Sequence, residues 1–219
     1  METRTALSIP TYDGKIRIET MFSVLKATKN LNTTLIQSIG SSLLTKCFNQ
    51  LWTQALNARR THGITHFAMI HADLGVEPGW LDKMHEIMKT TKADILSSVI
   101  AMKAIGRMTS TAEETDDRFL PRNYSLSECT NGTWTSPGIL LNTGLMLCDL
   151  RGDWVEKVFF DVHNEIRISP NGDKYALAIS EDWDFSRQAR NHGAKLFATT
   201  EIKVDHYGHA MYPNRGTVI

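Results

Sequence analysis

The chain has 219 residues, with 24 Lys and Arg against 24 Asp and Glu, so its formal net charge is zero. That balance excludes bulk attraction to nucleic acid or to an anionic membrane, and any anionic ligand needs a local site or a metal. The length allows one sizeable core or two small ones, and no apolar run approaches the roughly 18–20 residues of a membrane span.

Met1-Glu2-Thr3-Arg4 leads straight into residues 5–9 without a leader-like apolar stretch. Cys47, Cys129 and Cys148 are too scattered for a disulfide framework or a thiolate metal site. Buried, inert thiols and a reducing cytoplasm are expected.

Residues 5–9 read as a short strand stopped by Pro10, and Thr11-Tyr12-Asp13-Gly14 as a turn. From Arg17 the spacing becomes helical, with Ile18, Met21, Phe22, Val24 and Leu25 forming one apolar stripe. Residues 34–39 are a second strand closed by Gly40, and Ser41-Ser42 offers a cap for the next helix. There Leu44, Cys47, Phe48, Leu51, Trp52 and Ala55 share a face up to the basic end Arg59-Arg60.

Residues 65–70 then form a strand that ends in His71-Ala72-Asp73. Pro78 marks a first helical turn, and Trp80, Leu81, Met84, Ile87 and Met88 make another stripe. Residues 94–101 are a nearly continuous apolar strand, as in a sheet covered on both faces. Three strand–helix alternations predict an α/β layer fold with a largely parallel sheet.

Residues 103–137 are polar and aperiodic, and read as an irregular functional loop. Strands follow at 138–141 and 145–150 around Asn142-Thr143-Gly144. Trp154, Val158 and Phe159 indicate a short helix, and Asn171-Gly172-Asp173 a loop. Ser180-Glu181-Asp182 opens a helix that runs through Phe185 and Ala189 to Gly193. Late strands at 195–199 and 202–204 lead into Asp205-His206-Tyr207-Gly208-His209.

Four stretches carry chemistry. His71 and Asp73 stop a buried strand at the carboxyl edge of the sheet, where open α/β sheets bind ligands. One residue apart on a strand, they point the same way and suit a divalent cation, with imidazole better tolerated by Mn²⁺ than by Mg²⁺. One carboxylate is too little, and His206 is the expected partner with His209 in reserve. Glu181, Asp182 and Asp184 exceed what a helix cap requires, so Glu181 or Asp182 is a candidate general base toward an acceptor hydroxyl. Pro10-Thr11-Tyr12-Asp13 offers an aromatic and a carboxylate at a strand end, able to stack a base and accept its N–H groups.

In this order, the stretches resemble the GT-A glycosyltransferases, over most of the chain except 103–137. The matching residues are Pro10-Thr11-Tyr12-Asp13 after the first strand, His71-Ala72-Asp73 at the place of the family's Asp-x-Asp motif, and Pro78-Gly79-Trp80-Leu81 at a helix start. They continue with Asn142-Thr143-Gly144, with Glu181-Asp182-Trp183-Asp184-Phe185 together with Arg187 and Arg190, and with His206 after the final strand. His71 departs from the motif's first acidic position.

The resemblance implies a single GT-A-like domain over residues 1–219, of the minimal kind found in bacteria and phages, with a mixed, mostly parallel sheet flanked by helices. It implies a metal-dependent transfer of sugar from a nucleotide-diphosphate sugar, with a UDP-sugar favoured, to a hydroxyl acceptor. Asp73, His206 and His71 would hold Mn²⁺, favoured over Mg²⁺, while Pro10, Thr11, Tyr12, Asp13, His71, Ala72 and Asp73 contact the nucleotide and its phosphates. Residues 103–137 would form the acceptor side, with Trp134 able to stack on a sugar ring. A nucleotidyltransferase of similar architecture and a non-catalytic nucleotide- or carbohydrate-binding module are the alternatives.

Overall fold

The structure, a computed structural model, describes residues 2–30, 34–104, 108–129, 132–208 and 210–215. A seven-stranded sheet lies at its centre, in the order β2 (Thr34–Gly40), β1 (Thr5–Thr11), β3 (His66–Ile70), β10 (Leu145–Asp149), β5 (Ile95–Ser98), β13 (Leu196–Thr199), β8 (Thr133–Trp134). Five of these strands run one way, and β10 and β8 run against them. The α/β class and the mixed, mostly parallel sheet therefore hold.

Alternation along the strands sends side chains to two cores. Phe67, Met69, Met146 and Cys148 meet α2 (Leu44–His62) and α4 (Glu181–Asn191) through Phe48, Leu51, Trp52 and Phe185. Ala68, Ile70, Leu145 and Leu147 meet α3 (Trp80–Thr91) through Trp80, Leu81 and Met84. The three cysteines are buried and free, as expected. Among the described residues no helix is long and apolar enough to cross a membrane.

Several boundaries differ for physical reasons. Pro10 does not end β1, because β1 pairs with β3 only as far as Ser8 and with β2 as far as Thr11. Beyond Ser8 the strand has one neighbour, and a missing N–H is tolerated there. Helix α2 begins after Leu43 without the expected side-chain cap; Ser41 Oγ instead accepts from Leu43 N at 3.1 Å in the turn before the helix. Helix α3 begins at Trp80, after Gly79 in the left-handed region at φ 75°.

The stripe of α1 (Ile18–Leu25) faces the other way from the sequence expectation. Val24 is buried, but Ile18, Met21, Phe22 and Leu25 are exposed.

The described residues of 103–137 are not irregular. The stretch carries β6 (Met108–Glu113), β7 (Arg122–Ser125) and β8, and β6 lies between β7 and β9 (Ile139–Leu140) in a small antiparallel sheet. Polar side chains fasten it where apolar periodicity is absent. Glu113 accepts from Tyr124 Oη at 2.7 Å and Ser136 Oγ at 2.5 Å, and Thr109 Oγ1 donates to the Tyr124 carbonyl at 2.9 Å. Arg187 and Arg190 of α4 grip Glu114 at 2.6 and 2.7 Å.

Residues 163–179 hold a hairpin of β11 (His163–Ile168) and β12 (Lys174–Ile179), closed by the Asn171-Gly172 turn. A third small sheet joins β15 (Met211–Pro213), β14 (Val204–Tyr207) and β4 (Leu74–Val76).

Candidate active site

Strand β3 stops at Ile70, and His71 N donates to the Gly144 carbonyl at 2.8 Å. This fixes His71 beside the start of β10. Its ring lies 5.3 Å from that of Phe48, and its Nε2 is buried without a partner. Burial pushes the His71 pKa down to about 4, against a smaller upward pull from Asp73. The ring is therefore neutral at pH 7 and keeps a lone pair.

The β14–β4 pairing brings His206 opposite Leu74, and Tyr207 N donates to the Asp73 carbonyl at 2.9 Å. His206 therefore lies within a strand, not after one. Its Nδ1 is 2.8 Å from the Ala101 carbonyl, which can only accept, so Nδ1 carries the proton. Nε2 is left facing Asp73 Oδ2 at 3.6 Å. The close approach needs Gly75, since a Cβ there would come within 2.9 Å of the Tyr207 ring.

Asp73 Oδ2 also accepts from Lys103 Nζ. Burial would raise the Asp73 carboxyl, but the His206 ring and the Lys103 ammonium beside it outweigh this and hold the group well below the usual carboxylate range. Its other oxygen, Oδ1, is buried and unpartnered. Lys103 was not singled out in the sequence. Its only signal was position, two residues past the apolar strand and at the same edge as Asp73.

The Pro10–Asp13 stretch and His71–Asp73 share one cleft of about 440 Å³, lined also by Lys15, Arg17 and Leu44. Thr11 is pinned, its carbonyl accepting from Ser41 N at 3.0 Å. Tyr12 is 74% exposed, a free ring at the cleft wall. Asp13 is lowered by its bond to Lys15, 2.8 Å away.

Glu181 and Asp182 do not line this cleft. Asp182 Oδ1 accepts from Thr143 Oγ1 at 2.5 Å, and the neighbouring Gly144 holds His71, so Asp182 and His71 hang from the same turn. Burial, then the Glu181 charge, pushes the Asp182 pKa up to about 7, with Thr143 pulling the other way. Burial also raises Glu181. Asp184 is turned away, bonded to Gln188 at 2.5 Å and facing His163 at 3.2 Å. Trp134 packs against Tyr124 with ring centroids 6.2 Å apart and against the core. His209 lies outside the described residues.

Among the described residues no group of three or more His, Cys, Asp or Glu is clustered as a metal site. Asp73 Oδ1 and His71 Nε2 are each buried without a partner, and His206 Nε2 lies 3.6 Å from Asp73 Oδ2.

No family model matches the chain, and no curated protein matches its sequence. Among solved structures, A197 from STIV is similar at 14% identity with a TM-score of 0.56, covering 94% of this chain and 86% of that one. TarS 1-349 from S. aureus in complex with UDP gives 12% identity and a TM-score of 0.49, covering 91% of this chain. The chain spans 58% of that protein. A UDP-glucose pyrophosphorylase complexed with UDP-glucose gives 10% identity and a TM-score of 0.45, covering 93% of each chain. The likeness to A197 is one of fold.

Proposed function

We propose that this chain is a metal-dependent glycosyltransferase of the GT-A kind, moving a sugar from a UDP-sugar to a hydroxyl acceptor. The observation that carries the reading is the shared cleft, which brings the exposed Tyr12 ring and the His71-Ala72-Asp73 segment to one ligand-sized space. Tyr12 stacks the uracil and Asp13 accepts its N–H. Asp73, His206 and His71 would hold Mn²⁺, which when bound would supply positive charge beside the departing diphosphate.

Lys103 moves its ammonium from Asp73 to a phosphate oxygen when the donor binds. Asp182, its pKa raised by burial and by the Glu181 charge, takes the proton of the acceptor hydroxyl as the acceptor oxygen bonds the anomeric carbon and the bond to diphosphate breaks. That role belongs to an inverting reaction. In a retaining one, Asp182 and Glu181 only hold the acceptor. The small β6–β7–β9 sheet borders α4 and forms the acceptor side.

Nucleotidyl transfer is the weaker reading. The turn after β1 has only Gly14, and Lys15 is tied to Asp13 rather than free for a triphosphate. Calorimetry of UDP binding with and without Mn²⁺, repeated on Asp73→Ala, is the test. The expected result is Mn²⁺-dependent binding that the variant loses; metal-independent binding, or an unchanged variant, overturns the site. Sugar release from a panel of donors separates an enzyme from a binding module.

A further inference from the structure

Helix α1 is built inside out. Thr20 and Ser23 are buried with Val24. Ser23 Oγ donates to the Glu19 carbonyl at 2.7 Å and accepts from Val76 N at 2.7 Å, and the Ser23 carbonyl accepts from Trp80 Nε1 at 3.0 Å. Polar groups therefore fasten the helix to the protein.

The apolar stripe is left outside, with Ile18 66%, Met21 40%, Phe22 53% and Leu25 54% exposed. Single exposed apolar residues are ordinary, but four at i, i+3, i+4 and i+7 make a contiguous patch that marks an interaction surface.

The charge around the stripe identifies what covers it. Lys15, Arg17, Lys26 and Lys29 are exposed around it. Lys26 Nζ sits 5.7 Å from the Phe22 ring centroid. The acidic groups of this surface are already engaged. Asp13 is held by Lys15, Glu19 by Arg17, Glu77 by Lys83 and Asp82 by the Thr28 hydroxyl. Lys26 and Lys29 keep their ammonium groups out of those pairs, and anionic lipid complements them.

We propose that α1 seats the protein on an anionic lipid surface. Ile18, Met21, Phe22 and Leu25 enter the boundary between headgroups and acyl chains, and Lys26 and Lys29, outside the ion pairs of this surface, meet lipid phosphates. The chain's zero net charge does not oppose this, because the attraction is local to one helix. The seat places the Tyr12–Asp73 cleft, which Lys15 and Arg17 also line, beside the bilayer.

Co-sedimentation with vesicles of phosphatidylcholine containing phosphatidylglycerol, against phosphatidylcholine alone, tests the proposal. The protein is expected to pellet with the anionic vesicles, less so at high salt. The double variant Phe22→Asp/Leu25→Asp should bind on the order of tenfold less. Lys26→Glu/Lys29→Glu should lose the preference for anionic lipid. These positions are exposed, and thermal unfolding checks that each variant folds. Absence of pelleting, or equal pelleting of wild type and the Asp double variant, overturns it. So does a dimer in light scattering that the Asp double variant dissolves. None of these readouts requires sugar transfer, so the proposal and the enzymatic reading fail separately.

Discussion

His206 Nε2 faces Asp73 Oδ2 at 3.6 Å while the Ala101 carbonyl holds its Nδ1 at 2.8 Å. A backbone carbonyl thus sets the tautomer of a side chain that β14 delivers from more than 130 residues away. The arrangement orients an imidazole lone pair beside a carboxylate, as a metal ligand requires.

His206→Ala is therefore expected to weaken Mn²⁺-supported UDP binding by about 10- to 100-fold, and Asp73→Asn by at least as much. Titration calorimetry at fixed Mn²⁺ reads both. Retained affinity in either variant removes that residue from the site.

Lys103→Met should move two affinities in opposite directions. The ammonium competes with a cation for Asp73 Oδ2, so Mn²⁺ should bind the free variant more tightly. The gain should be up to about fivefold, since a half-exposed ion pair is worth about 1 kcal/mol or less. UDP binding at saturating Mn²⁺ should weaken, because the phosphate loses the Lys103 ammonium. Mn²⁺ titration by electron paramagnetic resonance and UDP calorimetry together decide it.

Asp182 sits near pH 7 because burial and Glu181 raise it while Thr143 restrains the rise. If its ionised form is the base, kcat climbs through an inflection near pH 7. Thr143→Val then moves that inflection upward. Asp182→Asn should lower kcat on the order of 10²- to 10⁴-fold with UDP affinity unchanged, since the residue lies outside the nucleotide cleft. A flat pH profile, or a parallel loss of UDP binding, contradicts the assignment.

The opposite edge of the sheet carries a second pH dependence. His66 and His85 pack edge to face at 4.6 Å, and His85 bonds the Thr5 hydroxyl at 2.9 Å. Burial lowers His66 and takes His85 down to about 4. The unfolded chain protonates these rings near pH 6.5, the folded one only below that, so the unfolded state binds more protons in between. Stability should be level above about pH 6.5 and fall as pH drops toward 4. Urea midpoints at pH 7.5, 5.5 and 4.5 measure the slope. His85→Gln should flatten it, and a constant midpoint in the wild type refutes it.

The strand–helix rhythm and the shared Tyr12–Asp73 cleft were legible because local periodicity and strand-end polarity encode them. Other features depend on neighbours that the local sequence does not name. The α1 stripe reads the same whether it faces in or out; the Ser23 bonds to Val76 and Trp80 decide its direction. Strands β6 and β7 have no apolar alternation because Glu113 and Thr109 hold them by hydrogen bonds. The β11–β12 hairpin did leave a trace in Asn171-Gly172, but its exposed Ile166 and Ile168 lie among charged residues and read as loop. Lys103 was silent, since a lone lysine past a strand carries no pattern.

The position of β10 governs how the chain acquires its structure. Strand β5 has β10 and β13 as its only neighbours in the sheet, and β3 lacks one of its two until β10 arrives. Some 75 residues separate β3 from that partner along the chain. The first hundred residues therefore leave a ribosome as strands with open edges, and the sheet closes late and slowly. Chains cut before residue 145 should aggregate through those edges rather than persist as a smaller stable protein.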